Sequence, residues 1–272
     1  MTATVREIRA ERYPLNPRVL EVASVERITP RMVRVRLSGD DIAGLRSDGF
    51  DDHVKLWFPD PESGEHVMPV VEDDRCLNFQ DPRAVFRDYT IRRLDHGEGV
   101  LTVDFVAHEH GVGGRWAMAA RPGDRLGVLG PRGTEVLPAD FDYYVLLADE
   151  TALPAAARCL EELPADRPAL AFLEVADEAE EQPLEAGPRA RVAWLHRGDA
   201  EPGTTDLLER ALRDLELPPG DGFVWAGGEA LTLKPVRRAL KERGFVRGRT
   251  CVVDGYWRRG VVNLDHHEED ED

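Results

Sequence analysis

The chain has 272 residues, of which 52 are acidic and 35 are basic, and its formal charge is -17. Because affinity for nucleic acid comes mainly from Lys and Arg that neutralise phosphates, this charge excludes a nucleic-acid partner and disfavours an anionic membrane surface. A composition of 42% hydrophobic and 32% charged residues is typical of a globular protein long enough to form two hydrophobic cores.

The sequence indicates a cytoplasmic protein. It contains no run of about 18 apolar residues that would cross a bilayer, and its first residues lack the apolar stretch of a secretory signal. The cysteines Cys76, Cys159 and Cys251 are far apart and odd in number, which favours reduced thiols over disulfides. We therefore expect no membrane insertion and no metal site.

The first half of the chain predicts an antiparallel barrel. Short segments with alternating apolar residues are separated by Gly and Pro turns, which is the pattern of a small all-β domain. The predicted strands cover residues 19–25, 32–37, 53–58, 88–92, 100–107 and 125–129, and one helix covers 115–121.

After Pro138 the pattern changes to alternating strands and helices, which predicts a parallel sheet with helices on both faces. The predicted strands are 143–148, 169–175, 191–195, 223–227 and 250–253, and the predicted helices are 153–163, 205–215 and 230–243. The expected fold is therefore all-β plus α/β. Its expected parts are a flexible N-terminus (1–16), a barrel domain (17–140), an α/β domain (141–262) and a disordered acidic tail (263–272).

The segment Arg87-Asp88-Tyr89-Thr90-Ile91-Arg92 carries the first functional signal. On a strand, Arg87 and Tyr89 face one side, while Asp88 and Thr90 face the other. An Arg fork can bind a phosphate, a Tyr ring can stack on a flat heterocycle, and a Thr hydroxyl can bond a ring nitrogen. The alternative is a barrel strand with exposed charges.

This segment resembles the R-x-Y-[ST]-x-R flavin motif of the ferredoxin reductase superfamily. The stretch VDFVAHEHGVGGRWAMAARPGDRLGVLGPRG is similar to the siderophore-interacting protein family of FAD-dependent ferric-siderophore reductases. The similarity continues through LLADETALPAAARCLEELP, WAGGEA and GYWRRG, from about residue 19 to residue 260. It implies an FAD-binding barrel followed by a nicotinamide-binding α/β domain.

The resemblance also implies roles for individual residues. Arg87 is expected to reach an FAD phosphate, Tyr89 to lie against the isoalloxazine, and Thr90 to approach its N5. Asp104 and His108 match a D-x-V-x-H pattern that faces FAD in the family. For His108, capping of the strand end is an equal alternative.

A glycine-rich loop precedes the predicted helix, and its Gly113 and Gly114 are expected to offer backbone N–H groups to the FAD pyrophosphate. Family members usually carry Gly-Pro-Ala-Ser or a similar sequence here. The Val112-Gly113-Gly114 of this chain therefore lacks a hydroxyl contact, which predicts weaker FAD retention. Near the C-terminus, Tyr256 and Trp257 are expected to cover the flavin, although simple packing is the alternative.

The α/β half lacks a G-x-G-x-x-G fingerprint. The family resemblance instead implies that the residues ending its strands receive NADH or NADPH. They are Asp149, Thr151, Glu174, Gly227, Gly228 and Glu229. Asp149 or Thr151 is also a plausible helix cap. Glu174 favours a free ribose hydroxyl and therefore NADH, whereas Arg197 nearby favours a 2′-phosphate.

The resulting functional prediction is an FAD-dependent ferric-siderophore reductase that passes electrons from NAD(P)H through FAD to Fe(III) and releases Fe(II) for iron acquisition. No residue needs to act as acid or base, because the flavin transfers the electrons. Many ferric siderophores are anionic, so the expected substrate-binding residues are Lys55, Arg132, Arg258 and Arg259. The alternatives are a general flavin or electron-transfer reductase and a non-catalytic siderophore- or flavin-binding protein. A monomer is the favoured state.

Overall fold

The computed structural model describes residues 6–262, which form two compact units. The first, here the barrel unit, comprises residues 10–136. The second, here the α/β unit, comprises residues 137–262 together with 6–9. The expected acidic tail 263–272 and the first five residues of the expected flexible N-terminus lie outside the described residues.

The barrel unit is built from short antiparallel strands. The strands are β1 (Arg9–Arg12), β2 (Pro17–Thr29), β3 (Met32–Ser38), β4 (His53–Phe58), β5 (Val71–Glu72), β6 (Arg75–Cys76), β7 (Val85–Thr90), β8 (Arg93–Asp95), β9 (Val100–Val106), β10 (Arg125–Leu129) and β11 (Gly133–Val136). Within residues 10–136, seven of them form one sheet in the order β7-β4-β10-β2-β3-β9-β8. The helix α1 (Val112–Ala119) follows β9.

The seven-stranded sheet curls until its distant strands meet. Tyr89 on β7 and Phe105 on β9 are separated by four strands in the sheet order, yet their ring centroids lie 4.3 Å apart. Alternation along β3 buries Val33 and Val35, while Arg34 between them faces outward. The predicted antiparallel barrel is therefore confirmed.

The long segment 59–84 between β4 and β7 covers the outer face of these two strands. The Trp57 ring stacks on Phe86 at 4.9 Å and on Phe79 at 6.0 Å, and Phe79 belongs to this segment. The segment also contains the β5–β6 hairpin, whose turn residues Asp73 and Asp74 have φ of 48° and 62°. The strand that carries Arg87 and Tyr89 is thus packed on both faces.

The α/β unit confirms the predicted parallel sheet. Its strands are β12 (Tyr143–Ala148), β13 (Ala169–Val175), β14 (Ala190–His196), β15 (Gly222–Glu229) and β16 (Cys251–Trp257), and its helices are α2 (Leu153–Glu162), α3 (Leu207–Asp214) and α4 (Leu233–Glu242). The strand order is β14-β13-β12-β15-β16, so the chain adds strands on one side of β12 and then returns to add β15 and β16 on the other side. Ligands of such sheets bind at the carboxyl ends of the strands, beside this reversal of strand order. Among residues 6–262, no helix combines the length and apolar character needed to cross a bilayer.

Several boundaries differ from those the sequence predicts; the strand predicted at 88–92, for example, spans Val85–Thr90. Residues 9–12, expected to be flexible, form β1, which pairs with β11 although its RAER sequence has no apolar alternation. The helix α1 begins at Val112 rather than at residue 115, because Gly113 and Gly114 form its first turn despite their low helix propensity. The last strand continues to Trp257, so Tyr256 and Trp257 belong to β16 and do not follow it.

Candidate functional site

Tyr89 lies between the barrel core and helix α1. Its ring packs against Phe105 and against Phe58, whose centroid lies 6.1 Å away. Burial raises the pKa of Tyr89 above its ordinary value, and the nearby guanidinium of Arg87 only partly opposes that shift. The phenol is therefore protonated at neutral pH and available as a hydrogen-bond donor.

Arg87 shares this face of β7 and is a half-buried cation, on which the charge of the neighbouring Asp88 has only a secondary effect. Its guanidinium donates to the carbonyl oxygen of Phe86 at 2.6 Å and forms no ion pair within residues 6–262. Burial lowers the pKa of Arg87 below its ordinary value. A desolvated cation of this kind costs stability unless an anion binds it, so Arg87 fits an anionic ligand.

The first turn of α1 approaches Tyr89 closely because Gly113 and Gly114 carry no side chains. A Cβ at position 113 would lie 2.0 Å from the Tyr89 hydroxyl oxygen, and one at position 114 would lie 2.7 Å from the Val106 carbonyl oxygen. No described side chain caps this helix end, whose N-cap residue is Gly111. Uncapped N–H groups and the helix dipole favour phosphate, so this turn and Arg87 together fit the pyrophosphate of FAD.

Two further residues expected to face FAD are engaged elsewhere. Asp104 accepts two hydrogen bonds of 2.7 Å from Arg34 on the neighbouring strand β3, and its side chain is only 2% exposed. The His108 Nδ1 accepts from the Gly111 N–H at 3.1 Å, which is the capping alternative. Partial burial lowers the pKa of His108, and His110 lowers it further. The imidazole is therefore neutral at pH 7 and holds the loop before α1.

Thr90 and two of the expected substrate-binding cations also have defined surroundings. Thr90 is buried on the opposite face of β7 from Tyr89, as its position in the strand predicts. On that same face, the Lys55 ammonium bonds both oxygens of Asp88, at 2.8 and 2.9 Å.

Arg132 is the second of these cations, and its guanidinium bonds Asp74 at 2.6 Å. The Arg132 hydrogen bond lowers the pKa of Asp74 to about 2, so this acid is fully ionised at neutral pH. The sequence reasoning missed both acid partners. Of the other two cations, Arg258 and Arg259 are exposed in the α/β unit.

In the α/β unit, the expected donor-binding residues cluster at the reversal of strand order. The Asp149 carboxylate accepts from the Thr151 N–H at 2.8 Å and hydroxyl at 2.6 Å, and orders the turn into α2. It also accepts from the Trp257 indole N–H at 2.8 Å. A Cβ at Gly228 would lie 2.8 Å from the same carboxylate.

Tyr256 and Trp257, expected to cover the flavin, both lie on β16. The Trp257 indole contacts Asp149 of the expected donor site, and Tyr256 makes an edge contact with the Trp225 ring. The alternative of simple packing, which the sequence left open, describes Tyr256 well.

Glu229 closes the other side of this cluster and is 1% exposed. Its carboxylate accepts from the Leu231 and Thr232 N–H groups, each at 2.8 Å, and from the Arg259 N–H at 3.1 Å. The adjacent Gly227 packs against the start of α2, where a Cβ would lie 2.8 Å from the Ala152 methyl group. These bonds fix the backbone at the carboxyl end of β15.

The sequence points to Glu174 and Arg197, but it misses Glu150 and the buried polar contacts of this group. Glu150 forms a two-point ion pair with Arg197, with one contact of 2.8 Å, and their side chains are 13% and 2% exposed. Burial raises the pKa of Glu150 to about 7. Glu174 accepts from the Thr205 hydroxyl at 2.8 Å, and burial raises its pKa too. Acids at the carboxyl ends of two adjacent strands were the available signal, but the partner of Arg197 was not predictable.

Comparison with known proteins agrees with this geometry. Residues 141–260 match the family model described as siderophore-interacting protein, and residues 21–135 match the siderophore-interacting FAD-binding domain. The chain is 34% identical over 260 residues to the NADPH-dependent ferric-chelate reductase of Escherichia coli K12, across 94% of this chain and 99% of that protein. The chain belongs to the siderophore-interacting protein family.

Other members of the siderophore-interacting protein family are similar along most of their length. The ferric vibriobactin reductase ViuB of Vibrio cholerae is 30% identical over 258 residues, with 93% of each chain covered. A siderophore utilization protein from T. fusca has 68% identity and a TM-score of 0.94, with 96% of this chain and 100% of that chain covered. The family and the fold inferred from the sequence are confirmed, and residues 21–135 are an FAD-binding domain.

Proposed function

We propose that this siderophore-interacting protein is a cytoplasmic FAD-dependent ferric-siderophore reductase, which takes electrons from NADH or NADPH and releases Fe(II) for iron acquisition. The observation that carries the proposal is the half-buried guanidinium of Arg87, which forms no ion pair in the described part of the chain, together with Tyr89 and the uncapped glycine turn of α1. This combination suits a ligand with both a phosphate and a flat aromatic ring. The names of the relatives in E. coli and V. cholerae support the choice of ferric chelates as substrate.

The barrel unit would hold FAD through a small set of its own groups. Arg87 binds a phosphate oxygen, and the N–H groups of Gly113 and Gly114 bind the pyrophosphate at the positive end of the α1 dipole. Tyr89 offers its ring to the isoalloxazine, and Thr90 ends the same strand with a hydroxyl. Bound FAD supplies the conversion between a two-electron donor and a one-electron acceptor.

The α/β unit would hold the nicotinamide donor at the carboxyl ends of β12, β13 and β15. Asp149, Thr151, Gly227, Gly228 and Glu229 form the walls of this site. Glu174 lies near the carboxyl end of β13, where an acidic side chain suits the free hydroxyls of a ribose. The neighbouring Arg197 is engaged by Glu150, which supports NADH as the better donor.

The ferric siderophore would bind through cationic side chains. Lys55 and Arg132 are each held by a carboxylate, so they contribute less net charge than the sequence suggests. Arg258 and Arg259 are exposed in the α/β unit, and they remain candidates for an anionic chelate. Reduction loosens the chelate, because its hard oxygen donors bind Fe(III) more tightly than Fe(II).

An anaerobic stopped-flow assay tests the proposal. The protein reconstituted with FAD is reduced with NADH or with NADPH, mixed with a ferric siderophore, and followed by flavin absorbance together with Fe(II) capture by a chromogenic chelator. We expect reoxidation to saturate with siderophore concentration and to yield two Fe(II) per flavin. Reoxidation that responds only to free flavin or quinone would instead indicate a general reductase, and a protein that stays colourless with FAD would indicate a non-catalytic binder.

A further inference from the structure

We propose that Asp74 is a specificity-determining residue of the substrate site, because its carboxylate occupies an anion-binding position that a carboxylate group of a ferric chelate would take in its place. The position is formed by the guanidinium of Arg132 and the backbone N–H of Leu15, both in the barrel unit. The inference rests on the proposed function, since it names the kind of ferric chelate that this site favours.

The Asp74 carboxylate is held through one of its two oxygens. Its Oδ1 accepts from the Arg132 Nη1 at 2.6 Å and from the Leu15 N–H at 2.7 Å. The Arg132 hydrogen bond, followed by that of the Leu15 N–H, lowers the pKa of Asp74 to about 2, and the charge of Arg12 contributes as well. A position that stabilises an anion this strongly would bind the carboxylate of a ligand through the same donors.

Arg132 has further donors that Asp74 does not use. Its Nη1 also donates to the Tyr13 carbonyl oxygen at 3.4 Å, whereas its Nε and Nη2 form no hydrogen bond with any residue in the described part of the chain. A guanidinium binds a carboxylate best through two parallel hydrogen bonds. A ligand carboxylate that makes both bonds would therefore hold Arg132 more tightly than Asp74 does through one oxygen.

The pair is exposed enough for such an exchange. The side chains of Arg132 and Asp74 are 37% and 49% exposed, and ion pairs in such surroundings contribute little to folding. The Arg34–Asp104 pair of the same unit makes two hydrogen bonds, and its acid is only 2% exposed. Asp104 is therefore structural, whereas Asp74 can leave Arg132 without unfolding the barrel unit.

Asp74 also lies at a turn position that favours glycine. In the two-residue turn of the β5–β6 hairpin, Asp73 and Asp74 have φ of 48° and 62°. Turns with positive φ at both central residues favour Asn-Gly or Asp-Gly, so Asp73 is a favoured residue and Asp74 stands where glycine is preferred. The chain thus carries a carboxylate here against the backbone preference, and the contact with Arg132 and Leu15 is what this carboxylate provides.

A groove beside the pair has room for more of a ligand. Asp74 lines it together with Val71 and residues 12–16, and its volume is about 500 Å³. The exposed Arg12 adds a second cation to the wall. A volume of this size is typical of small-molecule sites. A chelate whose carboxylate displaces Asp74 would place the adjoining part of its chain in this groove.

Calorimetric titration of the FAD-loaded protein with two chelates tests the inference. Both are the Ga(III) complex of one linear trishydroxamate, which ends in a free carboxylate in the first chelate and in the methyl ester of that carboxylate in the second. Ga(III) has the charge of Fe(III) but is not reduced by the flavin, so binding is measured without turnover. The variants are Asp74→Asn, Arg132→Gln and their combination. Asp73→Asn is the matched control, because it removes the same charge from the same turn.

We expect Asp74→Asn to bind the carboxylate chelate about fivefold more tightly than the wild type, the upper end of what an exposed ion pair contributes. The competing charge is gone, while Asn still tolerates positive φ and can accept from the Leu15 N–H. The Kd for the ester should not change. Arg132→Gln should weaken binding of the carboxylate chelate to the level of the ester, and adding Asp74→Asn to it should then have no effect. Asp73→Asn should leave both Kd values unchanged.

The inference fails if Asp74→Asn binds the carboxylate chelate no more tightly than the wild type, or if the ester gains equally. It also fails if Asp73→Asn gives the same gain, if the gain persists without Arg132, or if neither chelate binds. These results leave the proposed function standing as long as the wild type reduces a ferric siderophore. If the titrations behave as expected but no ferric chelate is reduced, the proposed function fails, and Asp74 remains a competitor for the anion-binding position.

Discussion

Replacing Arg87 with Met should improve folding and impair FAD binding at the same time. The guanidinium is half-buried, forms no ion pair in the described part of the chain, and has its pKa lowered by burial. Removing it from the flavin-free protein eliminates a desolvated charge and keeps most of the packing volume. We expect a gain of about 1 kcal/mol, or a rise of roughly 2–4 °C in melting temperature.

The same substitution should weaken FAD binding strongly. A hydrogen bond to a charged group contributes about 1.5–3 kcal/mol, and one or two such bonds to phosphate correspond to a loss of roughly 30- to 1,000-fold in affinity. Fluorescence titration of flavin-free protein gives the Kd, and calorimetry gives the stability. Arg83→Met is the control, because the exposed Arg83 pairs with Asp81 at 2.7 Å and with Glu65 at 2.9 Å.

The control variant should change both quantities little, since exposed ion pairs contribute only about 0–1 kcal/mol. The reasoning would be refuted if Arg87→Met bound FAD as tightly as the wild type. It would also be refuted if the flavin-free variant lost stability, because Arg87 would then be a structural residue whose neighbours require its charge.

Three further predictions concern other parts of the molecule. Lys55→Ala should raise the KM for an anionic ferric chelate without changing the FAD content. Asp88→Asn releases the Lys55 ammonium and should lower the same KM. Equal KM values in steady-state assays at low ionic strength would remove Lys55 from the substrate site. Burial raises the pKa of Glu150 from 4.5 to about 7, so the protonated Glu150 contributes fully to the free energy of unfolding below pH ~4.5. That contribution, roughly 3 kcal/mol, is lost as the pH rises through ~7. Urea unfolding at pH 5 and pH 8 should show the fall in stability, and the Glu150→Gln variant should show a flatter dependence on pH. Trp257→Phe removes the 2.8 Å bond to Asp149 and should cost about 2 kcal/mol; an unchanged thermal midpoint would contradict the contact.

The architecture was predictable because it depends on local periodicity. Alternation in MVRVRL and the uniformly apolar YYVLLA each fix a strand type, and these strands become β3 and β12. The glycine turn of α1 was misjudged because propensity assigns paired glycines to loops. In the structure Gly113 lies against Tyr89, which is 24 positions away in the chain.

Side-chain partners were the part that the sequence could not supply. The Lys55–Asp88 pair requires the register of β4 against β7, and the Trp257–Asp149 bond spans 108 positions. Each depends on which strands become neighbours. The residue types at the site were therefore predictable, whereas their availability to a ligand was not.

The position of β7 has a consequence for the motion of the flavin motif. In the seven-stranded sheet β7 is an edge strand, hydrogen-bonded to β4 on one side only. Edge strands open more readily than central ones and invite pairing with other chains, and here the Trp57–Phe86–Phe79 stack holds this edge from outside. A cofactor bound by both β7 and α1 would hold this edge strand in place and stabilise the barrel where it opens most readily. Amide exchange along β7 should therefore respond to cofactor binding before exchange in any other part of the sheet does.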